Sequence, residues 1–337
     1  MAPAIKVHHL TKDFEVVVRE QGLTGTLKSL IKPEKKIVHA LKQVSFNIDR
    51  GELVGFIGPN GAGKTTTLKI LSGLLFPTSG HVWVDGFDPW QRKVEFLKKI
   101  ALVMGQKNQL WWDLPASETF ELNRVIYEIP QKDYDTNLNE LVELVDVKRL
   151  LKTPVRRLSL GYRMRMELIA ALIHKPKVLF LDEPTIGLDV VASQKMRDFI
   201  ADYNKKYQAT IILTSHNMGD VANLAKRVIV IEDGEIIFDG GLSELVSLYA
   251  KDKIIKLVLS GDGDYKSLEK IGKIREIAIP KVELLVPRST ATLAASEILQ
   301  NFAVDDLTIE EEPVENIIRR IFSGDTKRLN SRKHTNA

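Results

Sequence analysis

The sequence predicts an α/β fold that carries a helical insertion and a small mixed C-terminal unit, and three observations support this reading. Short β-branched or apolar runs, "KVLFLDE", "ATIILTSH" and "RVIVIEDGEIIF", are bounded by polar residues, as buried parallel strands are. The glycine-rich stretch "GPNGAGKTT" follows the strand-like "ELVGFI" and opens a helical pattern. Past Ala250 the texture changes to an interleaving of short strands and helices. The 337 residues suffice for one large domain and one small one.

From Ile5 to about Ile57, "IKVHHL", "QVSFNI" and "ELVGFIG" alternate apolar and polar positions and read as strands of an opening sheet. Residues 22–36 interrupt it with a helical stripe, Leu23, Leu27, Leu30 and Ile31, ringed by Lys28, Lys32, Lys35 and Lys36. Such a stripe either packs on its own domain or lies along a membrane surface. A helix is expected from Lys64 to about Leu74, then a hairpin turning at Asp85-Gly86, then "IALVMGQ" as a strand leaving into "KNQLWWDLP". Residues 107–175 are mostly helical in pattern and form the insertion. The first domain is placed at 1–250 and the α+β unit at 251–323, in the order strand, helix, strands, helix, strand, helix. Residues 324–337 form a basic, flexible tail.

Composition narrows the function. A net charge of +4, from 48 basic and 44 acidic side chains, is too balanced for the electrostatic footprint of a nucleic-acid binder, so no nucleic-acid partner is expected. The lack of cysteine removes disulfides, thiol catalysis and cysteine-held metals. "MAPAIKVHHLTKDF" has no apolar signal core, and runs such as "ELIAALI" fall far short of a membrane span. A cytoplasmic location is expected, with any membrane link made through a partner.

The chemistry sits in two phosphate-directed patterns and one pair of carboxylates. "GPNGAGKTT" is a P-loop with the right context, a strand before it and a helix after it. Gly58, Gly61 and Gly63 let backbone N–H groups turn inward around phosphate oxygens, Lys64 reaches the β and γ phosphates, and Thr65 can coordinate magnesium. The strand of "KVLFLDEP" delivers Asp182 and Glu183 at its C-terminal end, where α/β sheets place ligands. Asp182 suits a magnesium shell, and Glu183 suits accepting a proton from a water that attacks the γ-phosphate. In "RRLSLGYRMRME", Ser159 can cap a helix whose N-terminus favours an anion, and Gly161 lets backbone approach one closely.

The order of P-loop, "LSLGY", "LFLDEPTIGLD" and "TSH" resembles the ATP-binding subunit of ABC transporters, over roughly Ile5 to Leu248. The resemblance implies a P-loop NTPase cassette with a RecA-like core, an antiparallel β subdomain and a helical subdomain. ATP and Mg2+ are its cofactors, two cassettes (a homodimer or heterodimer) close head to tail, and integral membrane permease subunits are the partners. It implies that Gly58, Pro59, Asn60, Gly61, Ala62, Gly63, Lys64, Thr65 and Thr66 bind ATP, with Ser159 and Gly161 covering the γ-phosphate held by the other subunit. It further assigns His216 as the switch histidine, Gln106 as the Q-loop glutamine that meets magnesium or water, Asp189 as the D-loop aspartate and Phe14 as the adenine-stacking ring. Gln109 is an alternative to Gln106, and a helix cap is an alternative for Asp189. The family's motif ends in glutamine where this chain has Tyr162, a change that bears on closure.

"MGQKNQLWWDLP", "PVRRLSLGYRMRMEL" and "LFLDEPTIGLDV" resemble a bacterial exporter-type branch served by the second class of ABC permeases. Trp111 and Trp112 either dock the permease or fill the core of the helical subdomain. The rivals are an import cassette and a soluble ABC ATPase of translation or DNA repair. Against the soluble rival stand the single cassette, the lack of long heptad repeats and the modest charge.

Overall fold

A computed structural model describes residues 2–18, 34–105, 107–215, 218–260 and 265–322. The chain divides into two compact units, 1–240 and 241–337. The first opens with β1 (Ile5–Val18) and β2 (Glu34–Ile48), which pair antiparallel from Ile5↔Ile48 out to Val18↔Glu34. Both strands run further than the local alternation suggests, because each supplies the other's hydrogen bonds. Glu34, Lys35 and Lys36 therefore belong to a strand, which corrects the helical reading at the end of the 22–36 stripe; residues 22–33 of that stripe lie outside the described residues. The basic tail at 324–337 lies outside them as well.

Next come β3 (Leu53–Ile57), α1 (Lys64–Leu71), β4 (Ser79–Val84), α2 (Val94–Leu97) and β5 (Ile100–Met104). The helix α1 stops at Leu71 rather than near Leu74. Gly73 turns to φ +73°, and a Cβ there would lie 2.4 Å from the carbonyl oxygen of Pro89, so the chain must leave the helix at that point. Asp85 and Gly86 adopt φ +47° and +83°, and Val84 and Phe87 bond across them, giving the expected tight turn. Beyond it the chain enters a short 3-10 turn at Pro89–Gln91 rather than a second long strand.

The insertion holds α3 (Ala116–Ile126), α4 (Gln131–Leu144) and α5 (Leu160–Leu172). The core resumes with β6 (Val178–Asp182), α6 (Val190–Tyr207), β7 (Thr210–Ser215), α7 (Met218–Leu224), β8 (Arg227–Glu232) and β9 (Glu235–Gly241). β4 joins β1 and β2 in a three-stranded antiparallel sheet, while the second sheet has the order β5-β6-β7-β3-β8-β9. From β5 to β8 its pairings are parallel, so the C-terminal ends of β3, β5, β6 and β7 share one edge. β9 departs from the reading of buried parallel strands: it is only partly covered and lies at the sheet's margin. Leu68, Ile70 and Leu71 of α1 pack between the sheets, against Phe56 and Phe180 on one side and Val7, Leu41 and Val82 on the other. Full burial of each such side chain contributes about 1.5–3 kcal/mol.

The second unit contains α8 (Leu242–Tyr249), β10 (Asp252–Leu259), β11 (Lys273–Ala278), β12 (Lys281–Pro287), α9 (Ala291–Asn301), β13 (Val304–Glu311) and α10 (Val314–Phe322). Its antiparallel sheet has the order β11-β12-β10-β13. Ala291, Ala294, Ala295 and Ile298 of α9 cover Ile255, Leu257, Val282 and Leu284.

Between α5 and β6, the ring of His174 stacks on Tyr127 at 3.8 Å and its Nε2 lies 3.1 Å from the carbonyl oxygen of Ile100. Burial pushes its pKa down to about 4. On acidification the unfolded chain takes up this proton first, near the ordinary histidine pKa, while the native ring stays neutral. Stability is therefore whole above about pH 6.5 and is lost progressively towards pH 4. The melting temperature of the wild type is expected to fall more steeply between pH 7 and 4.5 than that of His174→Gln, as read by circular dichroism; parallel curves would contradict this.

Candidate functional site

The fully buried strand β3 ends at Gly58, where side chains would clash: a Cβ on Gly58 would lie 2.2 Å from the carbonyl oxygen of Ile231. The loop closes at Gly63, with φ +109° and a Cβ position 2.8 Å from the carbonyl oxygen of Ala40. Lys64 then begins α1 and folds back over the loop, its Nζ donating to the carbonyl oxygens of Gly58 at 2.7 Å and Pro59 at 3.1 Å. Burial pushes the Lys64 ammonium pKa down, and the nearby charges of Glu183 and Asp182 oppose that shift.

Across from the loop, β6 presents Asp182 with both carboxylate oxygens engaged. Oδ2 accepts from Thr65 Oγ1 at 2.8 Å, and Oδ1 accepts from Thr214 Oγ1 at 2.7 Å. The next residue, Glu183, turns to φ +53°, and its N–H is shared between the carbonyl oxygen and the Oγ1 of Thr214, at 3.1 and 3.2 Å. Gly105, just past β5, donates its N–H to the carbonyl oxygen of Asp182, and a Cβ there would stand 2.1 Å from the carbonyl oxygen of Glu183. Asp182 and the backbone of Glu183 are thus set by contacts from α1, from β7 and from the residue after β5.

These elements enclose a cavity of about 590 Å3, within the range of small-molecule sites. Asn60, Gly61, Gly63, Lys64, Thr65, Thr66, Asp182 and Glu183 line it, together with Lys69, Gly105 and Lys107. Gly58, Pro59 and Ala62 shape the loop without being among the lining residues. Thr65 and Asp182 offer hard oxygen donors, the kind that hold Mg2+ alongside phosphate oxygens and water. Among the described residues there is no cluster of three or more His, Cys, Asp or Glu poised for a metal. The donor set therefore fits a magnesium ion that arrives with a polyphosphate.

Ser159, Gly161, Asp189 and Phe14 are not among the residues lining this cavity. Ser159 caps α5, its Oγ accepting from the Tyr162 N–H at 3.4 Å, and Asp189 caps α6, its Oδ1 accepting from the Ala192 N–H at 2.7 Å. A Cβ on Gly161 would come within 3.1 Å of the Ala192 Cβ, so the two helix starts are neighbours. The Tyr162 ring is 38% exposed, with the Arg165 guanidinium 4.8 Å from its centroid. Phe14 on β1 is 37% exposed rather than core, and the Lys12 ammonium lies 4.9 Å from its ring centroid. Gln106 and His216 lie outside the described residues. Gln109 turns its amide to the carbonyl oxygen of Leu102 at 2.8 Å and is not among the cavity's lining residues.

Trp111 and Trp112 are 52% and 46% exposed, which rules out the reading that they fill the helical core. Leu110 is buried there instead. Its N–H and that of Gln109 donate to Glu167 Oε1, a carboxylate whose burial raises its pKa. The Arg163 guanidinium sits 5.0 Å from the Trp112 ring.

Sequence reading misses a second buried carboxylate. Asp220 on α7, 1% exposed, accepts from Thr185 Oγ1, from Ser215 Oγ at 3.2 Å and from Arg197 Nη1 at 2.6 Å. It fastens the segment after Glu183 to the end of β7 and to α6. In "HNMGDVAN" it looks like an ordinary solvated helix acid, and only the fold reveals its partners.

A strand–glycine loop–helix cradle facing an Asp-Glu pair on a parallel sheet edge defines an ATP-binding P-loop ATPase. Residues 41–186 match the ABC transporter family, and residues 251–310 match the C-terminal domain of EvrA-like ABC transporters. The ABC transporter ATP-binding protein NatA of Bacillus subtilis is 35% identical over 212 residues, covering 63% of this chain and 86% of that one. The linearmycin resistance ATP-binding protein LnrL of the same organism is 31% identical over 253 residues, covering 74% and 81%. The dimeric, ADP- and Pi-bound structure of the ATP-binding cassette MJ0796 superposes with a TM-score of 0.58 at 26% identity, covering 70% of this chain and 98% of that one. The chain belongs to the ABC transporter ATP-binding proteins, the ATPases that hydrolyse ATP to power transport.

Thr214→Val keeps the side chain's shape but removes the hydroxyl that Asp182 and Glu183 share. A lost buried hydrogen bond of this kind costs about 1–3 kcal/mol, so ATPase kcat is expected to fall about tenfold with only a modest drop in melting temperature. Steady-state phosphate release checks it, and unchanged turnover would contradict it.

Proposed function

We propose that two copies of this cassette, or this cassette and a related one, close head to tail on two MgATP and drive an export permease. The observation that carries the reading is the fixed cluster of Thr65, Asp182, Thr214 and Glu183 beneath the glycine loop. Backbone N–H groups of Gly61 and Gly63 and the Lys64 ammonium hold the β and γ phosphates. Thr65 and Asp182 hold Mg2+, which when bound offsets the charge of the phosphate oxygens. Glu183 takes a proton from the water whose oxygen attacks the γ-phosphorus, as the bond to the bridging oxygen breaks and ADP leaves. His216, following β7, senses the γ-phosphate, Gln106, following β5, meets magnesium or the attacking water, and Phe14 offers its exposed face to adenine.

Ser159 and Gly161 cover the nucleotide of the opposite subunit, with Asp189 at the seam. Their supports are the helix starts they occupy and their place outside their own subunit's cavity. The exposed Trp111-Trp112 pair offers the permease large, rigid aromatic faces. Among the described residues no helix is long and apolar enough to cross a membrane. The export direction draws on LnrL, named for linearmycin resistance, which removal of a compound from the cell would serve. The C-terminal α+β domain read at 251–323 serves dimerisation or regulation.

Glu183→Gln removes the base while keeping the phosphate cradle. Its kcat is expected to fall by about two to four orders of magnitude, and MgATP should trap a dimer visible by light scattering. Normal turnover, or a protein that stays monomeric in saturating MgATP, would refute the reading.

A further inference from the structure

The nucleotide cavity contains more positive charge than the glycine loop supplies. Lys64 alone faces Asp182 and Glu183, an arrangement of net negative sign that repels a polyphosphate. Lys69 and Lys107 also line the cavity and reverse that sign. Their positions differ. Lys69 lies one helical turn beyond Thr65 on α1, on the loop's own side. Lys107 follows β5, and the sheet order β5-β6-β7-β3 puts the end of β5 beyond Asp182 and Glu183 as seen from the loop.

The Lys107 backbone is tied to the catalytic end. Its N–H donates to the carbonyl oxygen of Met104 at 3.0 Å. Two residues earlier the Gly105 N–H donates to the carbonyl oxygen of Asp182 at 2.8 Å. The absent side chain of Gly105 lets the backbone there press against the carbonyl oxygen of Glu183. Lys107, exposed and among the residues lining the cavity, therefore follows the strand next to the one that ends in Asp182 and Glu183, on the side where the phosphate under attack is read to lie.

We propose that Lys107 binds the terminal phosphate of the bound triphosphate and so makes the cavity prefer MgATP to MgADP. The proposal rests on the nucleotide reading above. MgATP carries one more negative charge than MgADP, and that charge lies at the Glu183 end, where Lys107 stands. A cation at this half-enclosed wall is screened by salt over a Debye length of about 8 Å, so its effect is local and salt-dependent.

The test compares Lys107→Gln and Lys107→Arg in the full chain carrying Glu183→Gln, so that bound ATP survives. Isothermal titration with MgATP and with MgADP gives each Kd. Lys107→Gln is expected to weaken MgATP about tenfold and MgADP less than about twofold, and Lys107→Arg to stay within about threefold of the parent for both. Raising the salt should shrink the difference between parent and Lys107→Gln for MgATP. Equal weakening of both nucleotides, or no weakening of either, would overturn the assignment while leaving the nucleotide site intact. A parent that binds MgADP but no MgATP would overturn the assignment too, and a parent that binds neither would sink the nucleotide reading itself. Melting temperatures within a few degrees of the parent confirm that each variant is folded.

Discussion

The site depends on one carboxylate whose two oxygens face different strands. Asp182 accepts from Thr65 at the start of α1 and from Thr214 on β7, and so spans the gap between the glycine loop and the catalytic strand. Neither contact could form unless β3, β7 and β6 ran parallel with their ends in register, which the pairings Ile57↔Ser215 and Asp182↔Thr214 establish. These strands are buried on both faces, so their register is held by the fit of their side chains against what packs on each face rather than by an alternation of buried and exposed positions. Hydrophobic burial thereby sets the spacing of polar groups it never touches.

A second carboxylate extends this rigidity sideways. Asp220 gathers Thr185, Ser215 and Arg197, so the segment leaving Glu183, the end of β7 and the middle of α6 share a single buried charge. Arg197 compensates it at 2.6 Å, and removing either partner would strand the other's charge away from water.

What the sequence made legible follows from locality. The strand, glycine loop and helix around Gly58 to Leu71 announce themselves within one short stretch, and so does β6 with Asp182 and Glu183 at its tip. The order of strands and helices past Ala250 is readable for the same reason, as each element carries its own periodicity, except that the helix expected after β10 is a 3-10 turn at Tyr265–Lys270. The failures involve distant partners. β1 and β2 reach Val18 and Glu34 because each strand extends the other, a pairing no local window displays. Asp220 and Thr214 look unremarkable in sequence because their importance lies in who meets them across the fold. Trp111 and Trp112 were ambiguous because an aromatic pair reads alike whether buried or exposed, and the burial of Leu110 in their place settles it.

The two helix starts at Ser159 and Asp189 bear on how a cassette that already holds a phosphate cradle uses a second one. Each cap satisfies one backbone N–H of its helix and leaves the rest of the first turn able to meet an anion. The short approach of Gly161 to Ala192 brings these two positive termini together, and any larger residue at either position would push them apart. The Asp189 carboxylate already meets the positive end of α6, while Ser159 adds no charge at the start of α5, and neither cap is among the residues lining the cavity of its own subunit. Tyr162, held over Arg165 beside Ser159, adds a broad ring to that face in place of a small amide. The ring enlarges the apolar area of that face and reduces the hydrogen-bonding capacity at its edge.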